Sequence, residues 1–492
     1  MRESGILLPV SSLSSKYGIG CFSKEAYEFI DFLKAAGQKE WQILPLGPTG
    51  YGDSPYQAFS TFAGNPYYID LETLIQQGLL TEEECEQADF GSCESYVDYE
   101  KMYFARFAVL KKAFARFDQN TEDYIEFIRR EDYWLEDYCL YMAVKDSLGG
   151  VAWTEWEPAL RDRHEVALEA ARKVLSEEIV FYRFQQYMFY KQWNGIHDYA
   201  KNNGVKIIGD IPIYVAFDSA DTWSNPELFQ FTEANLPKAV AGCPPDGFSA
   251  TGQLWGNPLY DWEYHKKTGY AWWQKRISHC FKMYDVVRVD HFRGFDEYYS
   301  IPYGDKTAQF GHWEKGPGLE LFETLKNNLG DLSIIAEDLG FLTESVLKLV
   351  KDTGYPGMKV LQFAFDSREE SDYLPHNYSR NCVVYTGTHD NDTVMGWYDS
   401  MNEHDRDFAS RYMNNARTPH DEIAWDFIRL AQASVADLCI IPIQDYLCLG
   451  KEARINTPST LGDNWKWRLK KGQLTDTLIE NIRRITRLYG RI

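Results

Sequence analysis

Residues 205–215, VKIIGDIPIYV, form a near-continuous apolar run that contains a single acid, Asp210. Such a run is typical of a strand buried on both faces of a parallel sheet. Seven similar runs occur elsewhere in the chain. The eight predicted strands are 5–10, 40–46, 205–215, 285–290, 332–338, 358–363, 382–386 and 438–443.

Helical segments separate these runs. Residues 23–36 carry apolar positions at helical spacing and end at Gly37, and a second helix begins at Thr343. Eight strands alternating with helices favour an α/β fold, a (β/α)₈ TIM barrel. The alternative is an open, doubly wound sheet with a separate helical domain.

The spacing of the strands indicates large insertions. With 492 residues, the chain is about twice as long as the ~250 residues of a plain barrel. We expect residues 1–492 to form one catalytic barrel, with a mainly helical insertion at 70–175 after strand two. Apolar residues there at helical spacing, from Tyr103 to Phe117, predict one buried helix face. A second insertion is predicted at 216–284, and turn-forming residues predict a loop at 242–247.

Composition excludes several classes of function. Lys and Arg number 51 against 73 Asp and Glu, so the net charge of −22 disfavours binding to nucleic acid or to an anionic membrane. No segment resembles a signal peptide or a transmembrane helix. The nine cysteines are scattered and form no CxxC pair, which indicates a reducing compartment and a cytoplasmic protein. The 76 aromatic residues hint at surfaces on which sugar rings could stack.

Four of the predicted strands carry acids at or near their carboxyl ends. They are Asp210, Asp290, Glu337 and Asp390, and two of them have a neighbouring histidine. Because the carboxyl ends of barrel strands form the active face, these acids should surround one pocket.

Two kinds of chemistry use such a ring of carboxylates. A divalent metal site is one, but the chain has no HxH or HExxH pattern, and we expect no metal and no cofactor. Glycoside cleavage is the other, and it needs two carboxyl groups with different roles. Arg288 should lower the pKa of Asp290, which suits a nucleophile, whereas a buried Glu337 facing Asp290 should have a raised pKa, which suits a general acid.

These residues stand within longer motifs. The chain resembles the amylomaltase family, the 4-α-glucanotransferases or disproportionating enzymes of the α-amylase clan, over almost its whole length. The motifs that carry the resemblance are GDSPYQ at 52–57, GDIPIYV at 209–215, GQLWGNPLY at 252–260, RVDHFRG at 288–294, AEDLG at 336–340, THDND at 388–392, NTP at 456–458 and Asn464-Trp465.

The resemblance implies a mechanism and a set of contacts. Asp290 would be the nucleophile, Glu337 the acid and then the base, and Asp390 the residue that holds the hydroxyls of a distorted sugar. Substrate would be bound by Ser54, Tyr56, Asp210, Gln253, Trp255, Arg288, His291, His389 and Asn464. Donor and acceptor would both be α-1,4-glucans. The family typically lacks a C-terminal β-sandwich, and the last predicted strand leaves only about 50 residues after it.

Transfer to a sugar requires that water be kept out of the site. The segment at 242–260, which contains Trp255, is a plausible lid. Two other functions stay open at this point: an α-1,4-glucan hydrolase of the same clan, and a glycan-binding barrel without activity.

Overall fold

The computed structural model describes residues 2–50, 52–245, 249–340 and 342–492. Its strands, in chain order, are β1 Glu3–Leu7, β2 Glu40–Gln42, β3 Lys206–Pro212, β4 Ala239–Cys243, β5 Gln253–Pro258, β6 Val286–Asp290, β7 Glu297–Pro302, β8 His312–Lys315, β9 Ile334–Ala336, β10 Gly357–Val360, β11 Cys382–Tyr385 and β12 Leu438–Pro442.

Eight of these strands form one parallel sheet, in the order β10-β11-β12-β1-β2-β3-β6-β9. They coincide with the eight predicted runs. The two ends of the sheet meet, because the Ala336 N–H donates to the Pro356 carbonyl across the β9–β10 gap at 2.9 Å. The predicted TIM barrel is therefore confirmed, and the open doubly wound sheet was the wrong alternative.

The observed strands are shorter than the apolar runs that predicted them. The first run extends to Val10, but β1 ends at Leu7, and Val10–Ser12 form a 3₁₀ turn. The second run extends to Leu46, but β2 ends at Gln42. Pro45 lies in that run and has no backbone N–H to contribute to a strand ladder. The apolar residues that follow these two strands, such as Leu8, Val10 and Ile43, are nevertheless buried by packing.

Helices surround the barrel and fill the long connection between β2 and β3. Within the described residues the α-helices are α1 Lys24–Ala35, α2 Leu71–Gln76, α3 Glu82–Glu86, α4 Tyr99–Phe114, α5 Glu122–Ser147, α6 Pro158–Arg161, α7 Glu165–Val174, α8 Ser176–Asn202, α9 Ala220–Ser224, α10 Trp262–Lys267, α11 Ala271–Met283, α12 Leu319–Leu329, α13 Glu344–Thr353, α14 Val394–Ser400, α15 Glu403–Met413, α16 Ile423–Ala433, α17 Ile443–Tyr446 and α18 Asp476–Leu488. None of them is long and apolar enough to cross a bilayer.

A second, antiparallel sheet of four strands lies beside the barrel, in the order β5-β4-β7-β8. The sequence does not predict it. The predicted loop at 242–247 begins inside β4, and its positions 246 and 247 lie outside the described residues. Part of the predicted lid is strand β5. After β12, the described residues contain α17 and α18 and no further sheet.

Candidate active site

The four predicted acids lie at the carboxyl end of the barrel. Asp210 in β3 is in register with Arg288 in β6, and Asp290 ends β6. Val289 of β6 pairs with Ala336 of β9, so the next residues along, Asp290 and Glu337, stand side by side on neighbouring strands. Parallel pairing thus brings together acids that are far apart in sequence.

Arg288 connects two of these acids. Its Nη1 donates to both Asp210 oxygens, at 2.8 and 2.6 Å, and its Nη2 donates to Asp290 Oδ1 at 2.8 Å. The third guanidinium nitrogen, Nε, contacts Met358 Sδ at 3.3 Å. Arg288 and Asp210 are buried, whereas 30% of the Asp290 side chain is exposed. The guanidinium therefore fixes Asp290 while leaving part of its carboxylate open to the cleft.

Glu337 is held by the backbone. Its Oε2 accepts the His291 N–H at 2.7 Å, and its Oε1 accepts the Leu339 N–H at 2.8 Å. Burial and the negative charge of Asp290 raise the pKa of Glu337 to about 7. A carboxyl group with this pKa can carry a proton near neutral pH and release it as needed, as a general acid and base must.

The pKa of Asp290 differs from the sequence prediction. Burial raises it above the ordinary value, together with the charges of Asp210 and Asp390, and this outweighs the lowering by Arg288. The prediction of a lowered pKa was wrong because burial of Asp290, and after it the negative charge of Asp210, outweighs the effect of Arg288. Of the pair, Asp290 alone touches the guanidinium, so it ionises before Glu337 does.

Asp390 follows β11 and lies against His389 and Asn456. The Asn456 amide donates to Asp390 Oδ1 at 2.6 Å, and His389 Nε2 lies 3.3 Å from Oδ2. Burial alone would raise the pKa of Asp390, but His389 and Asn456 hold it well below its ordinary value. In turn, Asp390 raises the pKa of His389 against the effect of burial. Asp390 is thus an ionised carboxylate, and 43% of its side chain is exposed.

An aromatic group lies between Asp210 and Asp390. The Tyr56 hydroxyl donates to Asp210 Oδ2 at 2.7 Å, and its ring stacks on the His389 imidazole at 5.1 Å. Trp465 adds a third ring, 5.8 Å from Tyr56 and 6.0 Å from His389. These rings form an apolar surface beside the carboxylates.

A second aromatic group comes from the antiparallel sheet. Trp255 in β5 stands perpendicular to His291, with their rings 4.8 Å apart. The Trp255 Nε1–H donates to Gln253 Oε1 at 3.1 Å, which fixes the indole. Burial lowers the pKa of His291 to about 3, so this imidazole is neutral. Its Nε2 is buried and has no hydrogen-bond partner in the part of the chain that the structure describes.

Two predicted binding residues make other contacts. Ser54 Oγ accepts the Tyr56 N–H at 3.3 Å and so supports the Tyr56 backbone. Asn464 accepts the Thr457 N–H at 2.9 Å and braces the 457–464 loop. Asn464 lines a groove of about 1060 Å³ that also includes Asn456. Among the hydrogen bonds of the described residues, neither side chain binds Asp210, Asp290, Glu337 or Asp390.

Two members of the site were not among the predicted site residues: Asn456 and Trp465. Both belong to the motifs quoted above, NTP at 456–458 and Asn464-Trp465, but nothing in their local spacing links them to Asp390 or Tyr56. Their positions follow from the loop after β12, which crosses the barrel end. Within the described ranges, no group of three or more His, Cys, Asp and Glu is arranged to hold a metal ion.

The fold and the acids at its carboxyl end define the class: a TIM-barrel enzyme with a carboxylate-based site. A family model described as 4-alpha-glucanotransferase matches residues 8–475. The 4-alpha-glucanotransferase of Clostridium butyricum is 50% identical over 98% of this chain and 99% of its own length. That of Thermus thermophilus is 46% identical over 96% of each chain. The solved amylomaltase of Streptococcus agalactiae, in complex with acarbose, is 42% identical and covers both chains fully with a TM-score of 0.97.

The chain belongs to the 4-α-glucanotransferase family. The predicted resemblance to amylomaltases is confirmed, and the chain is an enzyme with a glucanotransferase function. The matches favour transfer over the hydrolase alternative and over a barrel without activity.

Proposed function

We propose that the chain transfers α-1,4-glucan segments between oligosaccharides by a retaining double displacement, with Asp290 as nucleophile and Glu337 as acid and base. The observation that carries the proposal is the pairing of these residues on β6 and β9. One carboxylate is bound to Arg288 at 2.8 Å, and the other has a pKa raised to about 7. Retaining glycosidases use two such carboxyl groups, about 5–5.5 Å apart.

In the first step, Asp290 attacks the anomeric carbon of the donor, and the bond to the leaving oxygen breaks. Glu337 gives its proton to that oxygen, so the shortened glucan leaves as a neutral alcohol. The product is a β-glycosyl ester on Asp290. The loss of charge on Asp290 also reduces the repulsion of a negative charge on Glu337.

In the second step, Glu337 takes a proton from the 4-hydroxyl of an acceptor glucan. The acceptor oxygen attacks the anomeric carbon and releases Asp290, which restores the α configuration. Transfer exceeds hydrolysis when the acceptor is held in place and water is kept out. The His291 backbone N–H binds Glu337, and Trp255 packs on the His291 ring, so these two residues are suited to cover this side of the cleft.

The remaining residues hold the sugar. The ionised Asp390, partly exposed to the cleft, accepts hydrogen bonds from the hydroxyls of the reacting ring. Tyr56 and Trp465 offer aromatic faces on which sugar C–H groups pack. Asp210 and Arg288 act through Asp290 and Tyr56. The six buried cysteines, Cys21, Cys85, Cys139, Cys280, Cys382 and Cys439, are free thiols, which supports the proposal that the enzyme works in the cytoplasm.

Incubation with maltotriose alone tests the proposed transfer. We expect glucose together with maltodextrins longer than maltotriose. Products limited to glucose and maltose would contradict transfer. A 2-fluorinated glucosyl donor should also label one carboxylate, and a tryptic peptide modified at any acid other than Asp290 would contradict the assigned nucleophile.

A further inference from the structure

Asp338 lies directly after Glu337, at the point where the barrel closes. Between β9 and β10, the Ala336 N–H donates to the Pro356 carbonyl at 2.9 Å. Two residues after Pro356, the Met358 N–H of β10 donates to Asp338 Oδ1 at 2.7 Å. A side-chain carboxylate therefore takes the place of a backbone acceptor in this part of the ladder.

Gly357 provides the space for this carboxylate. A Cβ atom at position 357 would lie 2.2 Å from Asp338 Oδ2, well inside contact distance. Gly357 is therefore needed for close approach to Asp338, and any larger residue would displace the carboxylate. Asp338 and Gly357 form one closure, which joins the turn after β9 to the start of β10.

The closure lies next to both halves of the catalytic pair. Glu337 precedes Asp338, and the Leu339 N–H that binds Glu337 Oε1 follows it, so the turn 337–339 is fixed on one side by Asp338 and on the other by Glu337. The Met358 side chain contacts Arg288 Nε. Arg288 has three further hydrogen bonds to Asp210 and Asp290, so loss of the closure should disturb Glu337 more than Asp290.

We propose that Asp338 is a positioning residue that holds the turn 337–339 against β10 and so keeps Glu337 aligned for proton transfer. The inference rests on the role proposed above for Glu337. It predicts a selective defect in acid catalysis, because the nucleophile keeps its own supports.

The test compares two donors by kcat/KM, which reports the step that forms the glycosyl-enzyme. Maltotriose has a poor leaving group that needs a proton, and α-glucosyl fluoride has a good one that does not. General acid catalysis contributes roughly 10²–10⁴-fold. Asp338→Ala should therefore lower kcat/KM for maltotriose about tenfold or more, with a much smaller loss for the fluoride. Gly357→Ala, which displaces the Asp338 carboxylate without removing it, should likewise lower kcat/KM much more for maltotriose than for the fluoride.

Asp338→Asn supplies the conservative rescue. Its amide oxygen can still accept the Met358 N–H, so activity on both donors should return to within about threefold of the unchanged enzyme, in contrast to the tenfold scale of the acid defect. If Asp338→Asn behaves like Asp338→Ala, the charge and not the hydrogen bond matters, and the proposal is wrong. Equal losses on both donors in Asp338→Ala and Gly357→Ala would also overturn it, since they would indicate a general structural role.

Asp285 provides a matched control at the opposite end of the barrel. Its Oδ2 accepts the Ile207 N–H at 2.9 Å, a similar side-chain bond between neighbouring strands. Asp285→Ala should lower thermal stability without changing the ratio of the two donors. Glu337→Gln is measured in parallel. If Glu337→Gln loses kcat/KM equally on maltotriose and on the fluoride, the proposed role of Glu337 is wrong. If Glu337→Gln loses more on maltotriose but Asp338→Ala does not, only the positioning role of Asp338 is wrong.

Discussion

At the scale of single residues, the site depends on one guanidinium, that of Arg288, which two carboxylates share unequally. Arg288 makes two hydrogen bonds to Asp210 and one to Asp290. Asp210 therefore neutralises much of the guanidinium, and Asp290 keeps a higher pKa than an isolated Arg–Asp pair would give. For the role proposed for Asp290, this arrangement is favourable, because a fully compensated ion pair would have to be broken before the carboxylate could attack.

Replacement of Asp290 should abolish transfer while the barrel stays folded. Asp290→Asn removes the attacking atom, and loss of a covalent nucleophile typically costs about 10⁴-fold or more in kcat. Arg288 remains bound to Asp210, so no buried charge loses its partner. Thermal unfolding should shift by only a few degrees. A variant that retains more than a tenth of the transfer rate would contradict the nucleophile role.

The pKa of Glu337 predicts a pH profile. Proton donation requires the neutral acid, so kcat/KM for maltotriose should fall as the pH rises through about 7. In Glu337→Gln this alkaline limb should be absent from the residual activity. The fluoride donor should show little of the limb even in the unchanged enzyme, because fluoride leaves without a proton. An alkaline limb of equal size with both donors would show that another group titrates.

At the scale of elements, sequence patterns located the barrel strands but not the second sheet. Runs such as VKIIGDIPIYV are apolar at nearly every position, a pattern that is specific for strands buried on both faces. Strands β4 and β5 are AVAGC and QLWGNP, which are short and rich in small or polar residues. β4 pairs with β5 on one side and with β7 on the other, so the sheet is decided by these tertiary pairings and not by local pattern.

Helix α4 illustrates the same limit. Most of the predicted buried face is confirmed, because Leu110 is fully buried and Phe107, Phe114 and Phe117 pack partly buried against the core, but Tyr103 does not belong to it. Tyr103 is 52% exposed, and the buried side runs through Met102, Arg106 and Val109. An aromatic ring at the edge of a buried helix face can lie in the core or on the surface, so spacing alone could not place Tyr103. The four acids of the site could be predicted from the sequence more readily, because carboxylates are unusual at the ends of buried strands and therefore indicate a function.

Strand β5 leads to a prediction about water. Trp255 covers His291 beside Glu337, so Trp255→Ala should open a path for water to the glycosyl-enzyme. We expect the ratio of hydrolysis to transfer to rise several-fold, measured as reducing ends formed per longer maltodextrin produced. Leu254→Ala, the neighbouring residue whose side chain is 39% exposed, is the control and should keep the original ratio. An unchanged ratio in Trp255→Ala would assign water exclusion to other residues.

At the scale of the whole molecule, the two ends of the barrel use buried charge differently. At the carboxyl end, the acids form the site. At the amino end, Glu40 of β2 is buried, and its Oε1 binds Lys206 of β3 at 3.0 Å, while Lys206 also binds Glu3 of β1 at 2.8 Å. One cation is again shared by two acids, here without an opening to substrate. Because Glu40 is buried only in the folded state, its protonation is coupled to global unfolding.

This coupling predicts how stability depends on pH. Burial, together with the nearby Glu3, raises the pKa of Glu40 to about 8, against an ordinary value of 4.5. A raised acid pKa means that the folded state binds the proton more tightly than the unfolded state does. The contribution of Glu40 to the free energy of unfolding is therefore fully present below pH about 4.5 and is lost as the pH rises towards about 8. Glu40→Gln is neutral at every pH and should lack this loss. Between pH 5 and 8, the Tm of Glu40→Gln should therefore rise by several degrees relative to the Tm of the unchanged enzyme. Glu82→Gln, which alters an exposed ion pair, is the control, and its Tm should depend on pH as that of the unchanged enzyme does. A difference in Tm between Glu40→Gln and the unchanged enzyme that stays constant across this range would mean that Glu40 is already ionised in the fold and that Lys206 alone compensates its charge.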